Sequence, residues 1–486
     1  QSTLKSQPKI LTNNIVIFKK WILIPGISLA SVLVPLTRPS AVAANPLAKA
    51  HEKILLAQQS PNRGLPESVT TCLRQYGVGN ATSRPDSSPN SSPNSSPNSS
   101  PESNPESNLE SNPDLLRQAA RNCRQALPIV RQTGDQQAIA TIFNLLGLIH
   151  KDLEEPNVAL EYAQQALTLS QAIDAQTTEV ITLTLIATIY DEIKQKETAL
   201  GYYQQALALP QAVAETGTEA IISNNIAAIY QSLGEKETAL TFYQRALFLH
   251  QTSGETQGEI TTLNNIGWAY YALGRSDVAL TYYQQVLPKV RASNDQSQEA
   301  AVLGNMGLAH SALSETDIAL AYFQQALPLS RTANNQEVEA IALNNLGLIY
   351  NEQGQKETAL GVYQEALRLA QGLRDRNNEA AILHNIGIVY EGLQQPDKAL
   401  IYYQQALPLT QSVGNRDGEA STLNNLAAVY QQQNNLSEAL STIDKAIALI
   451  EDLRTDIAPG DLRTSYFATV QSYYHTHAAR PARSRL

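Results

Sequence analysis

The sequence predicts an all-α protein, an α-solenoid (a right-handed superhelix) of eight helix-turn-helix units with flanking helices. Three observations carry that prediction. A 40-residue period is anchored by Ala159, Ala199, Ala239, Ala279, Ala319, Ala359, Ala399 and Ala439. Each period opens with apolar or small residues at i, i+3, i+4 and i+7, as at Leu263, Ile266, Gly267 and Tyr270, which lie on one face of a helix. Gly234, Gly274 and Gly354 punctuate the end of that stripe, where a helix commonly closes on a left-handed residue. One such hairpin cannot bury its stripe alone, but stacked hairpins can.

From the N-terminus, Lys19 and Lys20 precede an apolar run over 21–36, and Ala41-Val42-Ala43 fits a small-residue cleavage site. Residues 1–44 therefore read as a signal peptide or an N-terminal anchor, with a chance apolar stretch as the remaining reading. The run is short for a span of about 20 residues and holds Pro25 and Pro35. The expected location is exported, periplasmic or extracellular, and membrane-anchored if the segment is retained. The chain starts at Gln1 without an initiator Met, so the reading frame need not be complete. Residues 45–112 form a spacer, and its Ser/Pro/Asn low-complexity part (86–112) has too little apolar surface to offset ordering entropy. Cys72 and Cys123 are the two cysteines. In an exported chain they form a possible disulfide, and otherwise are two unpaired thiols. A flanking helix is expected over 113–139, eight repeats over 140–459, and a capping helix with a tail over 460–486.

Within a repeat the fourth residue is apolar except at Ser223, the eighth is always Gly or Ala, and the eleventh is Tyr in six copies, with His150 and His310 in the other two. The small eighth and twentieth residues let two helices approach closely while tyrosine fills the space beside them. Glu179, Glu219, Glu259, Glu299, Glu339, Glu379 and Glu419 recur near the start of the next first helix, where a carboxylate suits the macrodipole. Pro288, Pro328 and Pro408 fall late in second helices, so a bend or an early stop is expected there.

These residues resemble the tetratricopeptide repeat family. Its pattern of a large apolar residue, L-G, Y, A, F/Y and A stands here as Leu343, Leu346-Gly347, Tyr350, Ala359, Tyr363 and Ala366. The 40-residue period is similar to the longer-helix repeats of kinesin light chains and LGN-type adaptors. A narrower stretch, 450–474, resembles the segment that joins such repeats to the caspase-like CHAT peptidase domain in cyanobacterial proteins. The chain then departs into HTHAARPARSRL, and no cysteine follows Cys123 to serve as that domain's nucleophile. The helix over about 461–476 would instead cap the repeat stack.

Two asparagines inside many first helices need explaining, because the carboxamide competes with the helix for backbone hydrogen bonds. Taking the fourth, seventh, eighth and eleventh residues as core, the fifth, sixth, ninth, twelfth and thirteenth point elsewhere. The family resemblance implies that they line the concave groove. The sixth position is Asn225, Asn265, Asn305, Asn345, Asn385 and Asn425, and the fifth includes Asn144, Asn224, Asn264, Asn344 and Asn424. A carboxamide matches a peptide bond's donor and acceptor, so a ladder of them can hold an extended backbone. The other reading of the sixth position is a hydrogen bond to the neighbouring repeat. Trp268 and Tyr271 add an aromatic patch, either an anchor for an apolar side chain or packing between neighbours. His384 is a further groove candidate. Lys151, Asp152, Asp191, Glu192, Glu352 and Glu391 sum to −4 on this face, which favours neutral or basic peptide segments over acidic ones.

Nothing in the motifs points to catalysis or a cofactor. No phosphate-binding loop, nucleophile elbow or metal cluster is present, and His475 and His477 form a lone H-x-H. Charged residues make up 16% and the formal net charge is −10, without the basic footprint of a nucleic-acid binder. The expectation is a non-enzymatic scaffold with protein or peptide partners, no nucleic acid, no cofactor, and no membrane insertion beyond the N-terminal segment. The alternatives are the regulatory arm of a CHAT peptidase and a self-assembling structural solenoid.

Overall fold

The computed structural model describes residues 113–210 and 216–456. The readings placed on 1–112, on the 460–486 cap and on His475 and His477 lie outside the described residues. Helix α1 (Pro113–Thr133) precedes eight helix pairs. They are α2 (Gln136–Asp152) with α3 (Pro156–Ala172), α4 (Gln176–Glu192) with α5 (Lys196–Ala208), α6 (Thr216–Ser232) with α7 (Lys236–Ser253), and α8 (Thr256–Ala272) with α9 (Ser276–Ser293). Then come α10 (Gln296–Ala312) with α11 (Thr316–Thr332), α12 (Gln336–Glu352) with α13 (Lys356–Gly372), α14 (Arg376–Gly392) with α15 (Pro396–Ser412), and α16 (Arg416–Gln432) with α17 (Leu436–Asp456). Two compact units divide between Ser293 and Asn294. Within each unit a first helix packs on its own second helix, on the preceding second helix, and on the next first helix.

The 40-residue period has a local cause. Most helices are 17 residues long, and three-residue turns join them, so each half-repeat takes 20 residues. The middle turn residue is left-handed in every described turn from Gly134 to Asn434, including Glu154 (φ 58°), Lys194 (φ 68°), Gly234 (φ 85°), Gly274 (φ 74°), Gly354 (φ 78°) and Gln394 (φ 58°). The following amide then bonds back to the carbonyl five residues earlier, as Gln195 N does to Tyr190 O at 2.8 Å. Glycine adopts this conformation freely, whereas a side chain opposes it by about 1 kcal/mol. Lys194→Gly and Gln394→Gly are therefore each expected to raise stability by about 0.5–1 kcal/mol, and Gly354→Ala to lower it by about 1 kcal/mol, in denaturant unfolding.

The prolines neither stop nor end their helices. Helices α9, α11 and α15 run through Pro288, Pro328 and Pro408 to Ser293, Thr332 and Ser412. Each proline is exposed, and so is the residue four earlier (Gln284, Gln324, Gln404), so the carbonyl left without a donor is on the water side.

Burial in the first helices is broader than one stripe. Besides the expected positions, the third and tenth are buried in every repeat, for example Ile142 at 0%, Thr262 at 0%, Ile189 at 0% and Val389 at 0% exposed. A helix with three neighbours buries more than one face, which a single-stripe reading underestimates.

Candidate functional site

The small eighth residue and the second-helix tyrosine build the floor of the first-helix face. A Cβ on Gly267, Gly347 or Gly387 would fall 2.6, 2.6 or 2.4 Å from a ring carbon of Tyr283, Tyr363 or Tyr403. These tyrosines lie flat beneath the glycine, fully buried. Tyr403 Oη donates to Glu391, Tyr203 Oη lies 3.0 Å from Thr188 Oγ1, and Tyr283 and Tyr363 Oη have no hydrogen-bond partner. Burial raises the phenol pKa of Tyr283 and Tyr363, with Tyr271 and Glu352 adding to it respectively.

The fifth residue of one repeat meets the third and sixth residues of the next. Thr182 Oγ1 donates to Asn144 Oδ1 at 3.0 Å. Asn265 Nδ2 donates to Asn224 Oδ1 at 3.2 Å, and Asn385 Nδ2 to Asn344 Oδ1 at 3.0 Å. At the fifth position of α14 the asparagine is replaced by His384. Its Nδ1 lies 3.1 Å from Thr422 Oγ1, which donates to Gly418 O, and its Nε2 accepts from Asn425 Nδ2 at 3.4 Å. That network assigns a neutral imidazole carrying its proton on Nδ1. Burial lowers the pKa of His384 to about 4.

Of the two readings for the sixth-position asparagines, a bond to the neighbouring repeat is what Asn265, Asn385 and Asn425 make. The ladder is nevertheless only half satisfied. The half-buried Asn225 makes no side-chain hydrogen bond, and Asn345 uses only Nδ2, donating to Ile341 O at 2.8 Å. Asn144 Nδ2, Asn385 Oδ1 and Asn424 Oδ1 are buried without a partner, while Asn424 Nδ2 reaches Asn425 Oδ1 at 3.5 Å. Asn264 is buried and Asn305 half-buried. Trp268 is 8% exposed and stacks on Tyr271 with ring centroids 5.3 Å apart, so its indole is packed against its own helix. Lys151 is buried, 3.8 Å from Glu192 and 4.0 Å from Asp152. Cys123 is fully buried in α1, and Cys72 lies outside the described residues.

His150 and His310 pack as the tyrosines at their position do, stacking on Tyr162 and Tyr322 at 5.4 and 5.2 Å, and each also meets a glutamate, Glu155 or Glu315. Two devices were missed in the sequence. In five repeats the recurrent glutamate clamps the side chain eight residues earlier across the turn, as in Gln171–Glu179 (2.9 Å), Arg331–Glu339 (2.7 Å) and Gln411–Glu419 (2.8 Å). The Lys-Glu-Thr triplets at 196, 236 and 356 carry lysines that reach the next repeat, where Lys236 Nζ donates to Ala272 O at 2.6 Å. Both recur at a fixed register, which was the available signal.

Stacked helix pairs with a polar first-helix face define a repeat-built α-solenoid. The tetratricopeptide repeat model matches residues 139–212, 218–292, 298–372 and 378–452, so the chain belongs to the tetratricopeptide repeat family. Comparison with curated proteins gives no match. Among solved structures, the apo quorum sensor NprR from B. thuringiensis is similar over 69% of this chain and 94% of its own, at 16% identity and a TM-score of 0.56. A Rap protein complexed with Competence and Sporulation Factor is similar over 70% and 94%, at 15% identity and a TM-score of 0.51. The tetratricopeptide repeat sensor protein PH0952 of the STAND ATPases, from Pyrococcus horikoshii, is similar over 69% of this chain at 15% identity and a TM-score of 0.50, and this chain spans 54% of its length. At these identities the likeness is one of fold.

Proposed function

We propose that this chain is a protein-interaction scaffold whose first-helix face takes an extended peptide segment of a partner, neutral or basic in charge. The observation that carries this reading is the half-satisfied carboxamide ladder. Asn225 is unpaired, Asn345 Oδ1 is open, and Asn385 Oδ1 and Asn424 Oδ1 are buried without donors. The half-buried Asn225 amide and Asn345 Oδ1 are the reachable members of the ladder, and a peptide backbone supplies the donors and acceptors they lack. A Rap protein of this fold is described in complex with Competence and Sporulation Factor, which supports a ligand-taking role. The regulatory-arm reading has support of its own in the sensor descriptions of NprR and PH0952.

Panning a random peptide library on the full chain tests the proposal. Selected peptides should lose at least about tenfold in affinity for the Asn225→Ala/Asn345→Ala variant. Its melting should change little, because neither side chain bonds to another repeat. Equal affinity for both proteins would move the binding surface elsewhere.

A further inference from the structure

We propose that residues 66–78, upstream of the low-complexity run, are the first helix of a further repeat, packed on α1 and α2 and bridged to α1 by a Cys72–Cys123 disulfide. The proposal is independent of the peptide-binding reading. Counted back one period from Ala159, Ala163 and Ala166, α1 is a second helix, with Ala119, Cys123 and Ala126 at the same register. In the other repeats that register faces the repeat's own first helix, as Tyr283 does beneath Gly267 and Tyr403 beneath Gly387. Among the described residues no helix precedes α1, yet Ala119, Cys123 and Ala126 are at most 1% exposed.

A second buried face is independent of the first. The third and sixth residues of a first helix meet the preceding first helix, as Thr182 and Asn265 do. In α2 these residues are Ile142 and Leu145, both fully buried, although the described helices packed on α2 are α1, α3 and α4. The first helix of a preceding unit covers both faces at once.

Cys123 identifies the occupant. No cysteine among the described residues is free, Cys123 is disulfide-bonded, and Cys72 is the one other cysteine of the chain. Around it, Val69, Cys72, Leu73 and Tyr76 repeat the spacing of Leu263, Ile266, Gly267 and Tyr270. Pro66 suits a first helical turn, and Asn80 falls at the register of the left-handed Gly274 and Asn434. In this register Leu73 takes the place of the small eighth residue and Cys123 that of the tyrosine beneath it. Bulk removed from one helix is restored on the other. Closing the bridge takes two electrons and two protons from the two thiols, and a disulfide oxidant receives them and leaves as two thiols. The cross-link offsets the closure entropy of the Ser/Pro/Asn run, which this assignment places between the unit's two helices.

The test uses the full chain equilibrated with glutathione disulfide. Peptide mapping after alkylation in denaturant, without reductant, should give a Cys72–Cys123 linked peptide and no alkylated cysteine. Hydrogen exchange should be slow over 66–78. Reduction should accelerate it there and in α1 by at least about tenfold, and leave α16 and α17 unchanged. Leu73→Asp, with both cysteines kept, should accelerate exchange in α1 and α2 while the linked peptide persists. Alkylation of both thiols would overturn the bridge. A linked peptide whose residues 66–78 exchange as an unfolded chain, or a Leu73→Asp chain that exchanges like the wild type, would overturn the added repeat.

Discussion

Gly387→Leu is expected to destabilise the C-terminal unit by about 3 kcal/mol. A Cβ at Gly387 would stand 2.4 Å from Tyr403 Cε1. The ring cannot retreat, because it is fully buried and its hydroxyl is tied to Glu391 and, at 3.5 Å, to Asn425 Nδ2. A branched side chain must therefore separate α14 from α15. Gly387→Ala should be milder, since Ala187 and Ala227 already stand at this position above Tyr203 and Tyr243. Because repeats interact with near neighbours, the damage should be local. Hydrogen exchange should accelerate in α14 and α15 and stay unchanged in α2 and α3. A Gly387→Leu chain that unfolds at the wild-type denaturant concentration would contradict the close approach.

The second large effect is acid destabilisation through His384. An unfolded histidine titrates near 6.5, and in the folded chain burial holds this one at about 4. Between those values the unfolded chain binds the proton and the native chain does not. Stability contributed by the neutral imidazole is thus complete above about pH 6.5 and lost as pH falls toward 4, by roughly 3 kcal/mol in all. Glu391 and Asp417, whose carboxyls burial raises, act in the opposite direction in the carboxylate range, so comparison with a variant is needed. His384→Asn restores the residue used at this position in α12 and α16. Its unfolding free energy should fall less between pH 7 and pH 4 than that of the wild type, and parallel pH profiles would rule out His384 as the source.

The fold was legible because its determinants are local and repeated. Alanine at the twentieth position, the small eighth residue and the turn glycines are each dictated by a contact inside one hairpin. The broader burial of Ile189 and Val389 was not legible, because it depends on neighbouring repeats that one helix's periodicity does not record. Pro288 misled because its tolerance depends on whether the carbonyl four residues back faces water. At the candidate site, the residue type was readable and the partner was not. Asn225 and Asn265 occupy the same register, yet one is unpaired and the other bonds Asn224 of the preceding repeat, and that difference depends on what each neighbour presents.

The central claim is that these carboxamides read a peptide backbone. It is tested most directly by titrating a library-selected peptide and its series of single backbone N-methylated analogues into the wild type and the Asn225→Ala/Asn345→Ala variant. Methylation removes one N–H and leaves the side chains. Particular N-methylations should weaken binding to the wild type by about tenfold and leave the variant's weaker binding nearly unchanged. A wild type indifferent to every backbone methylation, but sensitive to side-chain replacement, would contradict it.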